Sequence, residues 1–172
     1  MTLSELFQIK DIKPNKRTGM ISDWLLNNTI SITELIEFAD NQKDSVKAMC
    51  IEAIEYATKV NPGITDISTF EFVTESLKAN SPSIKRESAR VIGNIAHQFT
   101  NQLEQTIINL IANTEYNGTV VRWSAAYALG EIVKLNTKHN HDLIPAIENI
   151  CEKEEKNSIR KIYQAAIKKL PH

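Results

Sequence analysis

Few side chains in this chain are spaced for chemistry. His139-Asn140-His141-Asp142 puts two imidazoles and a carboxylate within four residues. That is a chelating composition, but no Cys or second His cluster completes a tetrahedral set, and Asp142 has another use as a helix cap. Cys50 and Cys151 have no adjacent His or Asp to activate a thiolate, so both read as small buried apolar residues. His97 stands alone on its helix and reads as a groove-edge or core histidine, not as a base. No glycine-rich loop precedes a helix, so there is no phosphate cradle. The sequence implies no catalytic residue, no metal and no cofactor, and function falls to surfaces.

Those surfaces must be carried by helices. Of 172 residues, 42% are apolar and only five are glycine and five proline. This argues for one globular helical domain and against a turn-rich β-sandwich or barrel. Twenty Lys and Arg against 21 Asp and Glu leave a formal charge of -1, so attraction to nucleic acid or an anionic membrane has to be local. With no long apolar run, no leader and two cysteines, a reducing, cytoplasmic home without a membrane span is expected.

Four segments repeat: Val46 to Ile54, Ile84 to Gly93, Val121 to Gly130 and Ile159 to Ile167, their starts separated by 38, 37 and 38 residues. Each opens on a β-branched residue followed by Lys or Arg and continues with apolar or small residues at helical spacing. A partner helix precedes each. Ser31, Ser68 and Asn101, each with Glu three residues on, are read as its caps, and Asp142 with Pro145 in the first turn opens the last. The pairs are expected at 32–41 with 45–59, 68–79 with 82–98, 102–113 with 119–135, and 142–154 with 158–170, giving repeats of about 31–60, 67–98, 101–135 and 142–170. Residues 1–30 depart from the pattern and read as a helical cap over the 31–172 array.

Val121-Arg122-Trp123-Ser124-Ala125-Ala126-Tyr127-Ala128-Leu129-Gly130-Glu131-Ile132, with the weaker match from Ile84-Lys85 to Ile95, resembles the second helix of HEAT repeats in its lyase-type form. The resemblance covers about residues 31–170. It implies an all-α, right-handed superhelix of HEAT/armadillo type, about four hairpins long, with the second helices lining the concave side. HEAT arrays serve as scaffolds, transport adaptors, lyases and, in one group, DNA glycosylases, so the resemblance specifies fold far more than function. The acidic residue that precedes the Val-Arg pair in such repeats is absent from three units, where Ser83, Val120 and Ser158 stand. The ladder it would build is therefore not expected here.

Lys85, Arg122 and Arg160 recur at one position and read as structural, bonding to carbonyls or carboxylates of an adjacent loop. Ala89, Ala126, Ala166, Gly93 and Gly130 read as small residues that let helices approach. A second stripe is left for the concave face: Arg86, Arg90, Gly93 and His97 in one unit, Trp123, Tyr127, Gly130 and Lys134 in the next, then Lys161, Ala165 and Lys168, with Ala48 and Glu52 in the first. Arg86, Arg90, His97, Trp123, Tyr127, Lys134 and Lys161 are the expected partner-binding residues, with few carboxylates among them. Two arrangements stay open for the aromatics: exposure as anchors, or packing between neighbouring helices. The function expected is a non-catalytic scaffold or adaptor for a protein or acidic peptide. Duplex-DNA binding or alkylation-repair-type base excision is the alternative, and docking of the basic last pair against another subunit is a third possibility.

Overall fold

The computed structural model describes residues 1–171, in which every regular element is helical and none is a strand. Ten α-helices run α1 Leu3–Gln8, α2 Pro14–Leu26, α3 Ile32–Asp40, α4 Asp44–Val60, α5 Ile67–Ser76, α6 Pro82–Ile95, α7 Glu104–Asn113, α8 Thr119–Lys134, α9 Asn140–Lys153 and α10 Asn157–Lys168. The even-numbered helices pack flank to flank in one continuous row, while the odd-numbered ones touch each other sparsely. Two rows of unequal spacing make a curved stack, and the tighter even row is its inner, concave side. Among the described residues no helix is long and apolar enough to cross a membrane.

Small residues permit the tight row. Ala89, Ala126 and Ala166 are buried, and a Cβ on Gly130 would lie 3.3 Å from the Ala166 Cβ. The core is one cluster running from Leu6 to Ala166. Residues 1–30 do not merely cover the array. α2 packs on α4 as α4 packs on α6, and Phe7 of α1 stacks on Phe38 of α3 at 5.5 Å, so α1 and α2 occupy the places of a fifth hairpin. Within α2, Gly19 is helical and has nothing within 4 Å of where its Cβ would be. Gly19→Ala is expected to raise stability by about 0.5–1 kcal/mol, read as a higher thermal midpoint, since only unfolded-chain entropy changes.

Several expected caps are displaced. Ser31 forms the capping box with Glu34, and Thr2 forms another with Glu5. Asp66, not Ser68, caps α5, because its carboxylate accepts from both the Thr69 amide and the Ser68 hydroxyl. Asn101 lies in a turn and α7 starts at Glu104. α9 opens at Asn140, so Asp142 is inside its first turn and Pro145 lies deeper than expected; Asn140 ties this start to the Val133 carbonyl at 2.8 Å. Asn28 and Asn136 adopt φ of 58° and 53° just past α2 and α8, the left-handed stop that asparagine tolerates.

Candidate functional site on the concave ridge

The junctions come first, because they hold the ridge helices in register. Lys47 meets Asp40 at 3.1 Å. Lys85 donates to the Leu77 carbonyl and to Asn113 Oδ1 of the next unit. Arg122 donates to the Tyr116 and Asn117 carbonyls and to both carboxylate oxygens of Glu154, again one unit on, and Arg160 donates to the Glu154 carbonyl. An inter-unit ladder therefore exists. Its acceptors, Asn113 and Glu154, come from the ends of the following outer helices, not from the residue before the Val-Arg pair.

The two aromatics on α8 part company. Trp123 is 41% exposed, and Val120 one turn earlier is 52% exposed. Tyr127 is packed: its ring lies where a Gly93 side chain would be, and its hydroxyl donates to Asn94 Oδ1 at 2.7 Å. Asn94 in turn donates to the Glu55 carbonyl and to Thr58 Oγ1, so one asparagine joins α4, α6 and α8. Burial, then the charges of Glu131 and Glu55, pushes the Tyr127 phenol up to about 12. Asn94 is a residue the sequence reading missed; its position one past Gly93 was the available signal.

Trp123 divides two shallow grooves. One of about 270 Å³ is lined by Arg86, Arg90, Thr119, Val120, Trp123 and Ser124. The other, about 220 Å³, runs between α8 and α10 past Trp123, Tyr127, Gly130, Lys134, Ile162 and Lys169. Lys161 is exposed but lines neither groove, since the α10 face that does so is Ile162, Ala165 and Lys169. His97 is exposed in a single 3₁₀ turn beyond α6 and also lies outside both.

The concave cations are not free, which corrects the expectation of few carboxylates. Arg86 bonds Glu87 at 2.7 Å, Arg90 lies 3.4 Å from Glu55 and 3.9 Å from Glu87, and Lys134 meets Glu131 at 2.6 Å. Glu55 and Glu87 are buried between α4 and α6, Glu55 with Lys59 Nζ at 2.8 Å. Neither was counted on this face from the sequence, although Glu55 stands in the first unit where Gly93 and Gly130 stand in the next two. Burial raises the Glu87 carboxyl against the pull of Arg86 and Arg90, with Glu52 adding to the rise. A group with its folded pKa raised favours the fold at low pH and loses that contribution as pH climbs through the raised value. Glu87→Gln should therefore make the slope of stability against pH more positive above pH 4.5 than in wild type, measured by chemical denaturation.

Cys50 is fully buried, its thiol pushed up to about 12 by desolvation. Cys151 is only half-buried, against the expectation, and burial raises its thiol too. Neither is an activated nucleophile. No group of three His, Cys, Asp or Glu among the described residues is arranged to hold a metal ion.

A curved row of short helical hairpins with its inner helices in contact is the armadillo and HEAT class of α-solenoid. Solved structures agree. A designed armadillo repeat protein in complex with the peptide (KR)4 aligns over 98% of this chain and 80% of its own, at TM-score 0.72 and 15% identity. A computationally designed armadillo repeat protein for modular peptide recognition aligns at TM-score 0.73 and 16% identity over 98% and 82%. The complex of CpcE and CpcF of phycocyanin lyase from Nostoc sp. PCC7120 aligns at TM-score 0.74 and 13% identity over 95% and 96%. No protein-family model matches the sequence, and no curated protein does either.

Proposed function

We propose that this chain is a non-catalytic protein-binding module whose concave ridge receives an extended segment of a partner, with Trp123 as the anchor. The observation that carries this reading is the exposed pair Val120 and Trp123 standing between two grooves on otherwise well-packed inner helices. Exposed aromatic side chains flanked by arginines are what interfaces concentrate, because a ring supplies large contact area at small entropy cost. Two of the similar solenoids are described as peptide binders, which fits this use of the fold.

The partner's chemistry is apolar first. An acidic peptide would compete with Glu55, Glu87 and Glu131 for Arg86, Arg90 and Lys134, so charge sets register here and contributes little affinity. Duplex DNA, the alternative, meets the same compensated cations and would need steeply salt-dependent binding to be revived.

Peptides selected from a random library on the wild-type protein should carry an apolar or aromatic residue. Trp123→Ala should weaken each by about 20-fold or more, while Ile108→Ala on the outer row leaves binding unchanged. Selected peptides that bind Trp123→Ala as tightly as wild type would overturn the reading.

A further inference from the structure

The last hairpin carries a second surface, unrelated to the concave ridge. On the side of α9 and α10 away from α7 and α8, no described helix packs, and a groove of about 520 Å³ runs between them. Its floor is Ile147, Cys151, Tyr163 and Ile167; one rim is Glu148 and Glu152 on α9, the other Arg160, Gln164 and Lys168 on α10. Neither Glu148, Glu152 nor Lys168 takes part in a salt bridge among the described residues. An apolar floor is thus flanked by an acidic wall and a basic wall, each without an ion-pair partner among the described residues.

We infer that this face pairs with the same face of a second copy, about a two-fold axis running along the groove. Two copies can meet face to face in two symmetric ways. An axis across the helices sets α9 on α9, carboxylate against carboxylate. An axis along the groove sets α9 of each copy on α10 of the other, acid against base, with residues at equal heights brought together. Glu152 is one residue from the end of α9, and Arg160 is the fourth residue of α10. At about 1.5 Å per residue they stand within about 3 Å of the same height, and Glu148 and Gln164 match equally well. Charge complementarity therefore selects one partner and one geometry.

Two helices about 20 Å long and roughly 10 Å wide each offer about 400 Å² per copy, roughly 800 Å² in all. That is below the range of stable dimers. The association is weak, with a dissociation constant on the order of 100 µM, and salt loosens it because the charges are on open rims.

Sedimentation equilibrium of the full chain from about 20 µM to 1 mM, in low salt, tests this. Wild type should approach about 1.8 times the monomer mass at the top concentration. Glu148→Lys with Glu152→Lys makes both walls basic, and Gln164→Glu with Lys168→Glu gives the α10 rim a net negative charge around Arg160; each pair of changes is at exposed positions and should leave the circular dichroism spectrum of the fold unchanged. Each variant alone should remain at about the monomer mass. An equimolar mixture should recover part of the wild-type association, since the lysine placed at 148 then faces the glutamate placed at 164 and the native Glu152 faces Arg160, which together outweigh the one contact of the lysine at 152 with Arg160. A monomeric wild type, or variants that associate alone as wild type does, would overturn the inference. Failure of the mixture to associate would overturn the antiparallel geometry and with it the proposal.

Discussion

Glu154→Ala is expected to cost the fold about 3 kcal/mol, which for a chain of this length lowers the thermal midpoint by about 6–12 °C. The size follows from what Glu154 does. Its carboxylate is 4% exposed, meets Arg122 through both oxygens at 3.0 and 3.2 Å, and accepts the Lys156 amide at 3.0 Å. Removing it leaves the Arg122 guanidinium, itself 16% exposed, with carbonyls alone. Arg122→Ala should be equally severe, and the double variant no worse than either single, because the two changes remove one interaction. The pair also sets an acid limit. Burial pushes the Glu154 carboxyl up, but Arg122 and the Lys156 and Glu155 amides outweigh it and hold the group below its ordinary 4.5. A depressed folded pKa contributes stability that is fully present above the unfolded value and lost as pH falls through the folded one. Stability of wild type should thus drop below about pH 4.5 more steeply than that of Glu154→Ala, measured by urea denaturation across pH.

Gly93→Ala is expected to destabilise by about 2 kcal/mol, although alanine is the better helix former. A Cβ there would lie 2.7 Å from the Tyr127 ring, closer than such atoms approach. Helix propensity returns about 1 kcal/mol, whereas overpacking and tilting the ring off Asn94 cost more. The lost hydroxyl bond frees Asn94, which links α4, α6 and α8, so the damage reaches three helices. Gly93→Ala combined with Tyr127→Leu should recover part of the loss by emptying the contested space. Gly19→Ala, with open space at its Cβ, is the opposite case on the same scaffold, and equal effects at Gly93 and Gly19 would sink the steric account.

How much of the site could be read from the chain depends on what each residue answers to. The stripe on α8 was legible because Trp123 and Tyr127 share a face with a strongly periodic apolar core. Their different fates were not. Trp123 is exposed because the groove between α8 and α10 is too shallow to take it, and Tyr127 is packed because Gly93, 34 residues earlier, leaves room for its ring. On α10 the expected stripe was rotated: Lys161 gave way to Ile162 and Lys169, since the angle at which α10 meets α8 is not written in α10 alone. Glu55 and Glu87 went unseen for a related reason: Lys59 and Arg90 lie one turn along their own helices, but only the packing of α4 against α6 buries both carboxylates and brings Arg90 to Glu55.

The repeat period, the hairpin pairing and the recurring Lys or Arg at each junction were fixed by local order along the chain, because helical periodicity and small-residue spacing are properties of single segments. Tertiary structure alone decided which cations remain available, where the ladder finds its acceptors, and which aromatic faces outward. Those outcomes depend on distances between units, and a charge or a ring is satisfied by whatever the fold places beside it, however far away in sequence.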